Sequence, residues 1–204
     1  TSCPKGPGRA IMLDKLLHTH DSFRTFILDR TAYYLDGNIL KPLTAKYRLS
    51  YAELVGPETV DFFVSHFWGT EFTHFCSSLQ KHAEMVDMPR ASGKISSVVG
   101  QKITFKGVPI AQNQQVAYWI CFCSNNQYDI HNELGGDIGC RESSFYLALQ
   151  SPSCQSSCMV IDDKALPLRR SWCIFETLQA LQLSQKRSGF ELLMCTASGV
   201  LNFG

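Results

Sequence analysis

The sequence predicts an α/β protein with a parallel sheet covered by helices on both faces. In the second half of the chain, short apolar segments rich in strand-forming residues alternate with segments of helical periodicity. The strand segments are apolar throughout rather than at every second position, as expected when both faces of a sheet are buried. Strand–helix alternation of this kind is typical of parallel sheets with crossover helices.

Composition excludes several classes of protein. The chain has 204 residues, of which 45% are hydrophobic and 18% are charged, so it has enough apolar residues for a substantial core. Its formal charge of +1 gives no electrostatic case for binding nucleic acid or an anionic membrane. No apolar run of about 18 residues is present, so no transmembrane segment is expected.

The nine cysteines predict an intracellular, cytoplasmic protein with reduced thiols. Their number is odd, and several lie in apolar runs, as small buried residues do, so we expect no disulfide. Cys121 and Cys123 would share one face of a strand, but no CxxC pair or His-x-x-x-His partner completes a zinc site. We therefore predict no metal. Thr1 is not an initiator residue, which is consistent with removal of a targeting peptide. Location in an organelle is therefore the alternative to the cytoplasm.

Residues 1–58 are predicted to form a tail and a helical extension. In order they suggest an extended Pro/Gly-rich tail (1–9), a helical stretch interrupted at 20–22 (10–34), a turn (36–38) and an irregular connector with a short helix near 51–54 (39–58).

Residues 59–204 are predicted to form the α/β domain. The predicted elements are a strand (60–65), a helix (72–85), an insertion with a hairpin near 103–105 (89–115), a strand (115–123), a short helix (143–149), a strand (158–161), a helix (169–184) and a last strand (190–195). We expect the four strands to lie side by side in the order 2-1-3-4, with the first strand inside the sheet.

The loops at the carboxyl ends of these strands predict a ligand site, because ligands of parallel sheets bind at that edge. A polar crevice with nearby indoles suits an aromatic, hydrogen-bonding ligand such as a nucleotide. Neither GxGxxG nor GxxxxGKS occurs, which argues against a Rossmann dehydrogenase and a P-loop NTPase. The candidate ligand-binding residues are Ser65, His66, Trp68, Asn125, Asn126 and Trp172.

The helix at 169–184 carries an acidic residue on its apolar side. Trp172 and Glu176 are four residues apart and therefore lie on the same side, with Ser171 as a plausible N-cap. Three interpretations of Glu176 are open. It is a buried acid whose carboxyl group is hydrogen-bonded within the core, a buried acid with a catalytic role, or a residue that borders the apolar stripe and reaches solvent. The stripe comprises Leu168, Trp172, Phe175, Leu178 and Leu181.

Two motifs resemble the TIR (Toll/interleukin receptor) domain. Asp-Phe-Phe-Val-Ser at 61–65 is similar to the opening strand of that family. Ser-Trp-Cys-Ile-Phe-Glu-Thr-Leu at 171–178 is similar to its Ser-x-Trp-Cys-x-x-Glu-Leu helix, with one residue fewer between Ser and Trp. The resemblance covers about 59–196 and implies a flavodoxin-like sheet of four or five strands. His-Phe-Trp at 66–68 is similar to variant TIR-like proteins of unicellular eukaryotes.

The resemblance has two functional implications. Enzymatic TIR domains cleave the bond between nicotinamide and ribose in NAD with the Glu of that helix, which implies Glu176 as the catalytic residue and NAD as substrate, without a separate cofactor. The alternative is a non-catalytic TIR-like scaffold with protein partners or self-association. The segment 89–115 and the end of the chain soon after the fourth strand depart from the family. We therefore expect the N-terminal extension to cover the sheet edge exposed beyond the fourth strand, or the chain to be part of a larger molecule.

Overall fold

A six-stranded sheet forms the centre of the protein. The computed structural model describes residues 3–86 and 115–201, together with two short strands between them. The strands are β1 (Ile11–Met12), β2 (Phe62–His66), β3 (Thr104–Phe105), β4 (Val108–Pro109), β5 (Ala117–Ile120), β6 (Ser156–Val160), β7 (Leu192–Thr196) and β8 (Gly199–Val200). The sheet has the order β1-β5-β2-β6-β7-β8, while β3 and β4 pair with each other in a separate hairpin.

The predicted order of the four long strands is confirmed. β2 is parallel to β5 on one side and to β6 on the other, and β7 continues the parallel arrangement. The predicted number of four or five strands is wrong, because the antiparallel strands β1 and β8 extend the two edges. β1 belongs to the N-terminal extension but lies on the β5 edge, so the expectation that the extension covers the edge beyond the fourth predicted strand is wrong; β8 lies there instead.

Ten α-helices of the described residues surround the sheet. They are α1 (Leu13–Ser22), α2 (Arg24–Ile27), α3 (Ala32–Leu35), α4 (Lys41–Thr44), α5 (Tyr51–Val55), α6 (Phe72–Met85), α7 (Cys121–Ser124), α8 (Ile130–Glu133), α9 (Ser144–Gln150) and α10 (Ser171–Lys186). Short 3₁₀ segments lie at Pro7–Arg9, Cys140–Glu142 and Leu166–Arg169. No helix of the described residues is both long and apolar enough to cross a membrane.

The N-terminal extension differs in detail from its prediction. The first helix begins at Leu13 rather than near residue 10, because the two preceding residues pair with β5, and it is interrupted at Phe23 rather than at 20–22. The predicted turn at 36–38 is wrong, since a π-helical segment, Asp36–Leu40, joins α3 directly to α4. The short helix near 51–54 is confirmed as α5, which begins with a capping box between Ser50 and Glu53.

The strand predicted at 115–123 is too long. β5 ends at Ile120, and the next four residues form the helical turn α7. The Ser124 hydroxyl accepts a hydrogen bond from the Ile120 backbone N–H over 3.0 Å and so closes this turn. Cys121 and Cys123 therefore do not share a strand face. The hairpin predicted near 103–105 is present as β3 and β4, but most of the segment 89–115 lies outside the described residues.

Helices cover both faces of the sheet, as predicted. On one face, Phe62 and Val64 pack in a core to which α1, α5 and α6 contribute. On the other face, Phe63 packs in a second core with α9 and α10. The Phe63 ring stacks on that of Trp119 at 5.1 Å between centroids. The division at residue 58 remains a prediction, although residues of the extension belong to the first core. All nine cysteines have free thiols.

Candidate functional site

A cavity of about 610 Å³ lies at the carboxyl end of β2. This volume falls within the range of small-molecule sites, and the edge is the one that the sequence predicts. β2 contributes His66, the loop after it contributes Trp68, the end of β5 leads to Cys121, and the start of α10 contributes Trp172 and Glu176. The site is therefore built from segments that the sheet brings together from distant parts of the chain.

Glu176 is a buried acid in this cavity. The residue is only 4% exposed. Its Oε2 accepts a hydrogen bond from the Ser65 hydroxyl over 2.5 Å. Burial raises the pKa of Glu176 from 4.5 to about 7, and hydrogen bonds from Ser65 and Trp172 offset part of that rise. Glu176 does not reach bulk solvent, so the interpretations as a core acid and as a group kept for chemistry are the two that stand.

His66 lines the same cavity, and its ring nitrogens have no hydrogen-bond partner among the described residues. Its ring packs between Phe75 and Phe122, at centroid distances of 4.7 Å and 5.2 Å, and the residue is only 5% exposed. Burial lowers the pKa of His66 to about 3, so the imidazole is neutral near pH 7. The Val64 backbone opposes part of this fall in pKa, and both ring nitrogens are themselves buried, with no accessible surface toward the cavity.

Aromatic rings line the wall beside these polar groups. The Trp68 indole N–H donates to Cys121 Sγ over 2.9 Å, and this contact fixes the indole next to the end of β5. Tyr33 of the N-terminal extension packs on Trp68 at 5.4 Å between ring centroids. Trp172 packs edge-on against Phe145 at 4.9 Å. Flat aromatic walls of this kind suit a ring-shaped ligand.

Two thiols in the cavity are protonated at neutral pH. Burial raises the pKa of Cys121 far above its ordinary value and that of Cys173 to about 11. The thiolate, not the thiol, is the nucleophilic form of cysteine. The group that changes charge near neutral pH is thus the carboxyl of Glu176.

The structure brings most of the candidate residues together. His66, Trp68, Trp172 and Glu176 line the cavity, and Ser65 contacts it through its hydrogen bond to Glu176. The other two candidates lie elsewhere, because α7 redirects the chain before residue 125. The Asn126 side chain binds the Arg48 carbonyl and the Tyr128 backbone N–H. Asn125 is buried outside the lining of the cavity, and its Oδ1 has no partner.

Sequence reasoning missed several lining residues. Phe67 and Arg170 lie in loops that the strand order assigns to the ligand edge, so a complete survey of those loops would have found them. Tyr33 gave no such signal, because its position depends on how the extension folds back on the sheet. Ile130 and Leu134, in and after α8, also line the cavity.

The described residues around the cavity include no cluster of metal ligands. Among the described residues, no group of three or more His, Cys, Asp or Glu side chains is placed to hold an ion. Asp162, at the same edge, instead accepts hydrogen bonds from the backbone N–H groups of Lys164 and Leu166 and so stabilises its own loop. Comparison with known proteins gives no relative: no protein family, no curated protein and no solved structure matches this chain.

Proposed function

We propose that this chain is a TIR-like, flavodoxin-like protein that hydrolyses NAD to nicotinamide and ADP-ribose, with Glu176 as the catalytic carboxylate. The observation that carries the proposal is the placement of this buried acid in a cavity of ligand size, with its pKa raised to about 7. The resemblance of 61–65 and 171–178 to TIR motifs supports it, because Ser65 and Glu176 of these two motifs are hydrogen-bonded to each other.

The proposed reaction breaks the bond between the nicotinamide nitrogen and C1′ of the ribose. The bonding electrons leave with nicotinamide, which changes from a pyridinium cation to a neutral base. The ribose becomes an oxocarbenium-like cation, and the Glu176 carboxylate stabilises this positive charge. Water then adds its oxygen to C1′ and releases a proton, giving ADP-ribose. Neither a metal nor a general acid for the leaving group is required.

The surroundings of Glu176 strengthen the proposed interaction. Attraction between a carboxylate and a developing cation increases as the local dielectric constant falls. Burial beside Trp172 supplies that environment but also favours the protonated acid. The Ser65 hydroxyl opposes this effect by donating to the carboxylate, so that a substantial fraction of Glu176 is ionised near neutral pH.

Nicotinamide release from NAD tests the proposal directly. Glu176→Ala and Glu176→Gln are expected to lower the rate about 10²- to 10³-fold, by analogy with loss of one oxyanion-hole group. Glu191→Gln is a matched control, since Glu191 is exposed and precedes β7 at the opposite edge of the sheet. Melting temperatures of all variants separate loss of chemistry from loss of fold. Equal activity of the wild type and Glu176→Ala would contradict the assignment.

A non-catalytic interaction module is the second candidate, and the outer face of α10 favours it. Ile174, Leu178 and Leu181 lie on one side of the helix and are each 46–50% exposed. The only charged residue from 171 to 185 is Glu176, which is buried, so this face is uncharged as well as apolar. A second copy of the chain suits such a face, because a two-fold axis would bring no like charges together.

Sedimentation of the wild type and of Leu178→Glu tests this second candidate. A scaffold predicts a dimer that the new charge dissociates, together with no release of nicotinamide by the wild type. A wild-type chain that is monomeric at all concentrations would exclude self-association through α10.

A further inference from the structure

We infer that Tyr33 is a positioning residue of the ligand site: it holds the loop after β2 (67–71), and with it Trp68, in the wall of the cavity. The inference deepens the proposed function and rests on it for the identity of the ligand. Tyr33 belongs to the N-terminal extension, yet it lines the cavity together with Phe67 and Trp68 of that loop. A part of the chain outside the TIR-like motifs thus contributes to the site.

The extension binds this loop through its backbone. The Tyr33 N–H donates a hydrogen bond to the Trp68 carbonyl over 3.3 Å. At the start of α6, the Phe72 N–H donates to the Arg30 carbonyl over 2.9 Å. An isolated antiparallel bridge joins the two segments between these contacts. The path of the loop therefore depends on a segment that precedes β2 in sequence.

The Tyr33 ring packs on both aromatic residues of the loop. Its centroid lies 5.4 Å from that of Trp68 and 6.4 Å from that of Phe67, and both distances are in the range of favourable aromatic pairs. Trp68 also meets the Phe122 ring edge-on, at the longer distance of 6.0 Å. The contacts of Tyr33 come from its ring and its backbone, so a phenylalanine at this position would keep them.

Two side-chain hydrogen bonds join the loop to the ends of β5 and β6, and both are weak. The Trp68 indole N–H donates to Cys121 Sγ, and the sulfur of a thiol is a weak acceptor. The Thr70 hydroxyl donates to Asp162 Oδ2 over 3.4 Å, which is long for a hydrogen bond between two oxygens. These bonds orient Trp68, but they offset little of the conformational entropy that an ordered loop loses.

Arg170 contacts the same loop from α10. It is the N-cap of that helix, in place of the Ser171 that the sequence suggested, and its Cζ lies 5.1 Å from the Phe67 ring centroid. Cation–π contacts of exposed residues such as this one are weak. Tyr33 contacts both aromatic rings of the loop and its backbone, so the position of Trp68 depends on Tyr33 more than on Arg170.

Glu176 does not depend on this loop. Its hydrogen-bond partner Ser65 lies in β2 itself. Loss of the Tyr33 ring should therefore displace Trp68 and weaken ligand binding, while the chemistry at Glu176 continues. A residue needed only for folding would not separate these two effects.

The kinetics of nicotinamide release from NAD test this separation. Tyr33→Ala is expected to raise KM about 3- to 10-fold, the loss of one aromatic pair expressed as affinity, and to leave kcat within about twofold. Tyr33→Phe should keep the wild-type KM, because the ring is retained. Tyr47→Ala is a matched control, since Tyr47 also belongs to the extension and is 58% exposed against 52% for Tyr33, but does not line the cavity. Glu176→Gln should show the opposite pattern, a lower kcat.

The indole N–H signals of the three tryptophans provide a second readout that needs no substrate. Trp68→Phe identifies the Trp68 signal in the ¹⁵N–¹H spectrum. In Tyr33→Ala this signal should be lost to exchange with water, because the hydrogen bond to Cys121 opens, whereas Tyr33→Phe and Tyr47→Ala should retain it. The signal of Trp119, which is fully buried in the core on the other face of the sheet, should persist in every variant and show that the sheet is folded.

The two readouts separate this inference from the catalytic proposal. A wild type that releases no nicotinamide would overturn the catalytic proposal alone, and loss of the Trp68 signal in Tyr33→Ala would still support the positioning role. Equal exchange of the Trp68 indole in the wild type and Tyr33→Ala would overturn that role whatever the activity. In an active protein, an unchanged KM of Tyr33→Ala, or a Tyr33→Phe variant as impaired as Tyr33→Ala, would overturn it as well.

Discussion

Ser65 and Glu176 lie 111 residues apart in sequence, and their side chains are joined by a hydrogen bond of 2.5 Å. Both residues are at most 4% exposed, so this contact links the central strand β2 to α10 inside the protein. Because a hydroxyl donor stabilises the charged form of a carboxyl group, Ser65 controls how much of Glu176 is ionised.

Replacement of Ser65 by Ala should therefore raise the pKa of Glu176 further above about 7. The donor that favours the carboxylate is lost, while burial, which favours the acid, remains. Carboxyl ¹³C chemical shifts followed against pH measure this change directly. If the protein hydrolyses NAD, the acid limb of its pH–rate profile should move to higher pH in the same variant. A titration of Glu176 that is identical in both proteins would contradict this role of Ser65.

Glu176 should make the protein less stable as the pH rises from about 4.5 to about 7. Its pKa is higher in the folded than in the unfolded chain, so in this interval the folded state binds the proton and the unfolded state has released it. The expected loss is about 3 kcal/mol of unfolding free energy. Denaturant unfolding of the wild type and Glu176→Gln at several pH values measures this loss. The difference in unfolding free energy between the two proteins should change over this interval and level off above it. A difference independent of pH would refute the prediction.

His66 should make the protein less stable in acid. Its pKa is about 3 in the folded protein and 6.5 in the unfolded chain, so the unfolded state binds a proton first as the pH falls. The contribution of the neutral His66 to the unfolding free energy is complete above pH 6.5. It decreases by roughly 5 kcal/mol as the pH falls to about 3. His66→Phe, which keeps an aromatic ring between Phe75 and Phe122, should lose stability less steeply with acid. Parallel acid-unfolding curves for the two proteins would show that His66 does not carry this effect.

Arg9 and Glu133 form a buried ion pair, and removing only one of the two partners should lower the unfolding free energy strongly. The Arg9 Nη1 atom lies 2.6 Å from Glu133 Oε1, and both side chains are almost fully buried. Arg9→Met leaves the Glu133 carboxylate buried without its partner, at an expected cost of about 3–5 kcal/mol. Adding Glu133→Gln should recover part of that loss, because the unpaired charge is removed. Thermal unfolding of the single and double variants measures both, and a double variant no more stable than Arg9→Met would be inconsistent with this account.

The sequence predicted the parallel strands and the long helices because their signals are local. β2, for example, is an apolar run with a length typical of a buried strand. α10 has the predicted length, but the buried side of the helix comprises Cys173, Glu176, Ala180 and Leu183, while Trp172, Leu178 and Leu181 of the predicted stripe are half exposed. The turn after β5 was missed because Cys-Phe-Cys continues the apolar run of that strand, and a single hydroxyl, that of Ser124, ends it. The edge strands β1 and β8 have only two residues each, too few for any periodicity, and depend on pairing with neighbours.

The candidate site was predictable to a similar degree. Glu176 and Trp172 follow from helical spacing, and His66 and Trp68 from their place after a buried strand. Tyr33 depends on the path of the N-terminal extension, which no local pattern fixes. Asn126 shows the reverse case: it follows β5 in sequence, but α7 redirects the chain so that its side chain binds Arg48.

The pairing of β1 with β5 sets a practical limit on how the chain can be shortened for expression. A fragment beginning at residue 59 would lack β1, and the backbone groups of β5 that pair with Ile11 and Met12 would become a free sheet edge. Free edges with apolar side chains favour intermolecular pairing and aggregation. The same fragment would lack Tyr33 and would open the cavity on that side. Recombinant protein for the ligand-binding and kinetic measurements should therefore retain the N-terminal residues from Cys3 onward.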